Sequence, residues 1–299
     1  MKMKNTYAVL GATGNIGRTL VRDLLKKGYA VRAVGRDTKK LAELKKLGAQ
    51  TYATSFESVS ELTKIFTGTT AVLTMLPPAY MERDVYAYQE KISESIASAI
   101  EESQVKYVVN ISSIGAQFAT GTGIIQPHYK NEQRLNKLGI NVVHIRPPMF
   151  MENFFFATQE IESQGSVSWA YRKDYAMPFI ATSDIAKKAF EFLEKLDFSR
   201  SSVFELYGPE ALTFEQATSF LSKSFQKSVR YNQSSYSDVE SAMQFFGFNA
   251  NSARLMMEFS QALNEGRIVY TQPQTPQNTC TTTFSSFTKQ YFSKKTKAA

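Results

Sequence analysis

A chain of 299 residues with 43% hydrophobic content can bury a large core, which excludes a disordered protein. A single cysteine, Cys280, excludes an internal disulfide; with only two histidines, His128 and His144, no metal cluster is expected, and a reducing cytoplasm suits the chain best. The net charge of +8 admits anionic partners, but Lys26-Lys27, Lys39-Lys40 and Lys45-Lys46 fall near predicted helix ends or faces, where solvation explains them better than nucleic acid does.

The first five residues carry two lysines, yet the apolar stretch after them breaks at Gly11-Ala12-Thr13-Gly14, so no export signal is expected. Short apolar runs at 7–10, 30–34, 71–76, 105–111 and 140–145 predict five strands. Between them, periodic segments at 16–27 and 41–47 end at Gly28 and Gly48, and 86–103 and 128–138 also read as helices, the last stopping at Gly139. This alternation predicts parallel strands with helical crossovers, a doubly wound α/β sheet. Arg146 and Glu152 interrupt the most apolar region, so no membrane span is expected.

After Arg146-Pro147-Pro148 the pattern changes to "MFMENFFFA" and "VSWAYRKDYAMPF", which read as a cap over a cleft. A helix at 183–193 and a strand at 203–206 follow, and that strand is expected to rejoin the sheet. Thr213, with Gln216 three residues on, opens a helix over 213–225; 236–246 and 252–263 are also helical. Residues 272–283 read as an extended connection before a last short helix, and Lys294-Lys295-Thr296-Lys297 as a frayed end. The expected organisation is a nucleotide-binding Rossmann part over 1–150, rejoined by 183–208, and a smaller α+β substrate lobe over 151–299.

The sharpest motif is "VLGATGNIG". Gly11 permits the tight turn, Gly14 lets backbone approach a pyrophosphate, and Gly17 allows helix to pack closely on strand. A strand before and a helix after are the context that a dinucleotide site requires. In "AVGRD", Arg36 stands at the end of the second strand, where a guanidinium suits the 2'-phosphate of NADP(H), with Lys39 or Lys40 adding charge. Asp37 is the counter-evidence, unless it caps the following helix.

With these residues in place, the chain resembles the atypical short-chain dehydrogenases of the NmrA-like group, which includes NADPH-dependent quinone reductases and NADP-sensing regulators. The resemblance rests on "GATGNIG", "VKYVVNISSIGA", "GINVVHIRPPMFMENF", "FIATSDIA" and "FELYGPEALTFEQA", in that order over nearly the whole chain. It implies phosphate contacts at Gly11, Thr13, Gly14, Asn15 and Ile16, a 2'-phosphate contact at Arg36, and an adenosine side lined by Leu76, Pro77 and Pro78. Ser55 stands where the family often has Asp, a departure that weakens the adenine contact. Asn153 matches a family asparagine taken to hold the turn under the substrate lobe.

Most short-chain dehydrogenases pair a tyrosine with a lysine four positions later. Here Tyr129 is followed at that position by Gln133, and the one such spacing, Tyr291 with Lys295, lies in the basic tail, so neither a tyrosine acid-base mechanism nor sugar epimerisation is expected. The resemblance aligns His128 with the position that in some relatives holds a catalytic lysine. Glu132, one turn on, shares its face and is expected to orient the ring, whereas Tyr129 and Lys130 are each rotated by about 100°. Alternatively, His128 merely begins a helix after Pro127. Ser112 and Ser113 end the fourth strand, where either bonds a substrate carbonyl or satisfies backbone. His144 reads as core. Phe150, Phe154, Phe155, Phe156, Trp169 and Tyr171 either cover a planar substrate or form ordinary core.

Two functions follow from these residues. One is NADPH-dependent reduction of a quinone or related conjugated carbonyl, with His128, Ser112 and Tyr129 as the candidate catalytic groups. The other is a non-catalytic NADP(H) sensor acting through a protein partner. A homodimer is compatible with either.

Overall fold

The computed structural model describes residues 5–293, so the basic tail and Lys295 lie outside the described residues. The first half of the chain runs β1 (Thr6–Leu10), α1 (Asn15–Lys26), β2 (Ala30–Gly35), α2 (Thr38–Lys46), β3 (Gln50–Ala53), α3 (Val59–Phe66), β4 (Ala71–Met75), α4 (Val85–Ser103), β5 (Tyr107–Ile111), α5 (Gln126–Asn136) and β6 (Asn141–Arg146). The second half continues with α6 (Thr158–Gln164), β7 (Ser166–Trp169), β8 (Ala176–Met177), α7 (Thr182–Lys195), β9 (Ser201–Glu205), β10 (Leu212–Thr213), α8 (Phe214–Phe225), β11 (Arg230–Gln233), α9 (Tyr236–Phe245), α10 (Ala250–Asn264) and α11 (Phe284–Tyr291).

Seven strands form one sheet in the order β3-β2-β1-β4-β5-β6-β9, with every pairing parallel. The five expected strands and the expected returning strand account for six of these, so the expectation is short by one. β9 rejoins beside β6 as expected, while β3 gave no apolar signal because "QTYA" lies at the sheet edge, exposed or half-buried. Helix α3 was also missed, although Ser58 caps it by accepting the Glu61 N–H at 3.3 Å.

Alternation along the strands sorts the core into two layers. Tyr7 and Val9 of β1 face the layer built with Leu20 and Leu24 of α1, Leu44 of α2 and Ile185 and Leu193 of α7. Ala8 and Leu10 face the opposite layer, with Phe66 of α3, Ile92, Ile96 and Ile100 of α4, and Leu135 of α5. The sheet is therefore covered on both faces, and its carboxyl ends are left for loops.

A further core gathers around Phe154, which is fully buried and meets Trp169, Phe179 and Phe284 at ring-centroid distances of 4.7, 5.5 and 5.0 Å. Tyr171 stacks on Phe214 at 4.9 Å and 1°. Of the two alternatives for the aromatic segment, core packing holds for Phe154, Trp169 and Tyr171. Phe154, Trp169 and Tyr171 are packing residues, with the fully buried Phe154 contributing about 1.5–3 kcal/mol by burial; Phe155 packs on Phe287, and Phe156 faces outward. The expected capping box at α8 is present, with Thr213 and Gln216 bonding each other's backbone. No described helix is long and apolar enough to cross a membrane, and no described group of acidic, histidine or cysteine side chains is placed to hold a metal.

Candidate cofactor and substrate site

The turn from β1 into α1 has no room for side chains. Gly11 adopts φ +66°, and a Cβ there would lie 2.4 Å from Met75 Sδ. At Gly17 a Cβ would meet Gly11 O at 2.3 Å and Ala12 Cα at 2.8 Å, so backbone packs directly on backbone. Gly35, at the end of β2, makes room for the Thr13 side chain, whose Cγ2 would be 2.9 Å from a Cβ. Gly14 is the N-cap of α1; no side chain caps this terminus and no acidic residue stands in its first turn. The first N–H groups of α1, at Asn15, Ile16 and Gly17, together with the helix dipole, therefore make an uncompensated positive site.

At the end of β2, Arg36 is exposed. Asp37 is committed elsewhere: its carboxylate accepts the Lys40 backbone N–H at 3.0 Å as the N-cap of α2, and Lys40 Nζ lies 3.4 Å away. Ser55 lies exposed in the loop after β3, next to Phe56, a buried residue at φ +72°. Past β4, Leu76 and Pro77 are buried and Pro78 is exposed. Gln89 Nε2 donates to the Pro77 carbonyl at 2.9 Å, while Gln89 Oε1 is buried with no partner.

Helix α5 carries two polar chains into the sheet. In the first, Arg146, at the end of β6, binds Glu132 bidentately, Nε to Oε1 at 2.9 Å and Nη2 to Oε2 at 2.6 Å. Ser112 Oγ donates to the same Glu132 at 2.6 Å, and Glu205 lies 3.7 Å from Arg146 Nη1. All four residues are buried. In the second chain, Asn110 Oδ1 accepts from Thr74 Oγ1 and Asn131 Nδ2, so its amide donates to His144 Nδ1 at 3.0 Å. His144 Nε2 must then carry the proton given to Asn136 Oδ1 at 2.9 Å. Burial pulls the His144 pKa down to about 4, which keeps the ring neutral.

His128 sits in the first turn of α5 after Pro127, half-buried, with Nδ1 shielded and unpartnered. Burial pulls its pKa to about 4, against the opposing charge of Glu132. Glu132 does not orient it by a hydrogen bond. That expectation is corrected, because the carboxylate is turned to Arg146 and Ser112, and no hydrogen bond joins it to His128. Tyr129 is half-buried, and Lys130 turns away to pair with Glu90 at 3.3 Å.

Beyond the carboxyl ends of β5 and β9 lies a cavity of about 320 Å³ bordered by Ile114, Met177, Tyr207, Ile268 and Tyr270. A Cβ on Gly115 would touch both Ile268, at 3.3 Å, and Ile125, at 2.8 Å, which joins the cavity wall to the segment leading into His128.

The model of the NmrA-like family matches residues 3–279. The chain belongs to the NmrA-like family. Among its curated relatives, an NAD(P)H azoreductase of Xenophilus azovorans is 25% identical over 259 residues, covering 84% of each chain. Quinone oxidoreductase 2 of Escherichia coli is 24% identical over 270 residues, covering 87% of this chain and 88% of that one. Among solved structures, the E. coli NADPH-dependent quinone oxidoreductase in complex with NADPH superposes with a TM-score of 0.81 at 19% identity, over 96% of this chain and 99% of the other. The negative transcriptional regulator NmrA in complex with NADP gives 0.78 at 14% identity, over 99% and 98%.

On this NmrA-like fold the glycine loop, Gly35 with Arg36, and Leu76–Pro78 lie at the carboxyl ends of β1, β2 and β4 respectively, which neighbour one another in the order β2-β1-β4, the edge at which an open α/β sheet binds its ligand. Ser112 lies at the same edge, but its hydroxyl is engaged by Glu132. Sequence reasoning missed Gly35 and the Glu132–Arg146–Glu205 cluster. It also placed the turn-holding role at Asn153, whereas the neighbouring Glu152 does the work, its carboxylate accepting the Thr182 N–H at 3.0 Å and hydroxyl at 2.5 Å at the start of α7. An acidic residue following a Phe-Met pair gave no sign of that partner, which lies 30 residues on.

Proposed function

We propose that the chain binds NADP(H) and uses it to reduce a quinone or related conjugated carbonyl. The observation that carries the reading is the glycine turn closed against side chains, leading into a helix N-terminus with neither cap nor acidic neighbour, beside an exposed Arg36 whose adjacent Asp37 is spent on α2. Gly11, Gly14 and the N–H groups of Asn15, Ile16 and Gly17 hold the pyrophosphate, Thr13 lines the turn, Arg36 takes the 2'-phosphate, and Leu76, Pro77 and Pro78 border the adenosine half, with Ser55 at its rim. In this reading residues 1–150 with 183–208 form the nucleotide-binding unit, and the rest of 151–299 covers the substrate.

The reduced nicotinamide, when bound, supplies the hydride. The protein aligns the acceptor and excludes water. His128, neutral because burial holds its pKa at about 4, is a hydrogen-bonding and positioning group rather than a proton donor at pH 7. A quinone tolerates this, since the anion formed on hydride addition is delocalised and takes its proton from solvent once the product leaves the site. Steady-state oxidation of NADPH against a panel of quinones tests the reading. Turnover is expected, with His128→Ala raising KM or lowering kcat about tenfold while NADPH affinity stays within twofold. Tight cofactor binding without turnover of any acceptor would exclude it.

The neutral state of His128 and the missing tyrosine–lysine pair favour one other reading, a sensor that distinguishes NADP+ from NADPH for a protein partner. Equal affinities for the two cofactor forms would exclude that alternative.

A further inference from the structure

Three of the most exposed large apolar side chains meet at one place. Met81, in the loop between β4 and α4, is 71% exposed, and Phe245 and Phe246, at the end of α9, are 86% and 70% exposed. The two phenylalanine rings stand edge to face at 5.6 Å. A Cβ on the next residue, Gly247, would lie 3.8 Å from Met81 Cε, so the loop and the helix end form one surface although they are far apart in sequence.

The fold does not need these three side chains. Helix α9 is anchored by Val239 and Met243, which pack with Ala170 and Met257. Other residues clasp the turn after it to the loop. Phe248 packs on Tyr80 at 4.9 Å, and the Tyr80 carbonyl accepts the Asn249 N–H at 2.8 Å and the Ser252 hydroxyl at 2.6 Å. Asn251 Oδ1 accepts the N–H of Val85, the first residue of α4, at 3.1 Å. The patch is therefore held in shape before a partner arrives, and little conformational entropy remains to be lost on binding.

Size and charge select the partner. The three exposures leave about 400 Å² of apolar surface in one place, the size at which the largest patch of a soluble protein is commonly functional. That is about half of the roughly 800 Å² that each side gives to a standard interface, as suits an apolar centre completed by a polar rim. The rim carries both signs. Glu82 and Arg83 follow Met81, Glu240 lies on α9 and Arg254 on α10, and none of the four has an ion-pair partner among the described residues. Such a rim does not match a uniformly anionic bilayer or nucleic acid, but it matches its own copy, which can set cations against carboxylates across a two-fold axis. The outer faces of α4 and α5 offer no rival surface, because Lys91, Lys130 and Arg134 there are already paired with Glu57 and Glu90.

We propose that Met81, Phe245 and Phe246 form the centre of a two-fold interface between two copies of this chain. The interface adjoins the adenosine half of the cleft, since the loop that carries Met81 begins at Leu76–Pro78, yet it uses none of the residues assigned to the cofactor.

Sedimentation velocity of the full chain from about 1 to 200 μM tests this. A monomer–dimer equilibrium with a Kd on the order of 10 μM is expected, the strength of a small interface. Phe245→Ser combined with Phe246→Ser should weaken the dimer at least tenfold while the NADPH Kd and the Tm of the monomer stay unchanged. Met81→Ser, on the other segment, should also weaken it at least tenfold, and it keeps the test open if the double variant fails to fold. Phe156→Ser removes a ring that is 71% exposed beside Phe155, away from the patch, and should leave the dimer intact. A chain that stays monomeric throughout the range overturns the proposal, as does a dimer indifferent to the patch substitutions or one weakened equally by Phe156→Ser. A monomer that binds phosphatidylcholine vesicles, and loses them in the double variant, would give the surface to lipid and overturn it as well.

Discussion

Acid should destabilise this protein through His144 before it reaches most carboxylates. The ring is fully buried, its Nδ1 accepts from Asn110 and its Nε2–H serves Asn136, so a second proton would have to displace the Asn110 donor. Its folded pKa of about 4 lies below the ordinary 6.5. For a base with a depressed folded pKa, the stabilisation is complete above 6.5, where both states are neutral. It falls as pH drops towards 4, because the unfolded chain takes up the proton first. Linkage then gives a loss on the order of 2 kcal/mol at pH 5 and 3 kcal/mol at pH 4 relative to pH 8. Asp37 and Asp174, held below the usual carboxylate range by the Lys40 backbone N–H and the Arg172 side chain respectively, lose their stabilisation at lower pH; His128, equally depressed, and Glu152, raised by burial, act alike in parent and variant, so the difference between the two from pH 7.5 to 5 isolates His144. Urea unfolding at those two pH values measures the effect. His144→Gln keeps a donor for Asn136 and cannot be charged; it should cost about 1 kcal/mol at pH 7.5 for imperfect hydrogen bonding, yet lose about 2 kcal/mol less than the parent on going to pH 5. If the parent and His144→Gln show the same pH slope, the buried neutral histidine is not the acid-sensitive element and the reasoning fails.

The glycine turn, the 2'-phosphate contact and the buried cluster make further predictions. Gly17→Ala forces a Cβ against Gly11 O and Ala12 Cα, so about 1–3 kcal/mol of stability and at least tenfold in NADPH affinity should be lost; calorimetry that finds both unchanged would show that the turn yields easily. Arg36→Glu should weaken NADPH by roughly 10- to 100-fold, the loss of about 1.5–3 kcal/mol of charge-assisted bonding, with NADH little affected. A parallel loss for both cofactors, read by NAD(P)H fluorescence titration, would remove Arg36 from the 2'-phosphate. Glu132→Gln leaves Arg146 without its bidentate partner and should cost about 3–5 kcal/mol in urea unfolding at pH 7.5. A cost under about 1 kcal/mol would mean that Glu205 alone can neutralise the guanidinium.

The amino-acid sequence by itself determined the parts of this protein that depend on neighbours a few residues apart. The alternation of apolar runs with helical periods specified the doubly wound sheet, glycine spacing specified the α1 turn, and Thr213 with Gln216 specified the start of α8. Asp37 as a cap was also legible, since a cap bonds three residues ahead. Helical geometry rightly put Glu132 on the face of His128. Only the tertiary structure decided what that carboxylate does, because β6 delivers Arg146 to it, and a bidentate buried ion pair outweighs any bond to a neutral imidazole. The aromatic run around Phe154 was equally ambiguous in one dimension, since the same rings serve a cleft or a core according to whether α8 and α11 pack over them. Strand β3, Glu152 on Thr182, and the patch joining Met81 to Phe245 and Phe246 share that cause. Periodicity records which face a residue turns inward, whereas the partner it meets there is set by strand order and by the path of the chain between distant segments.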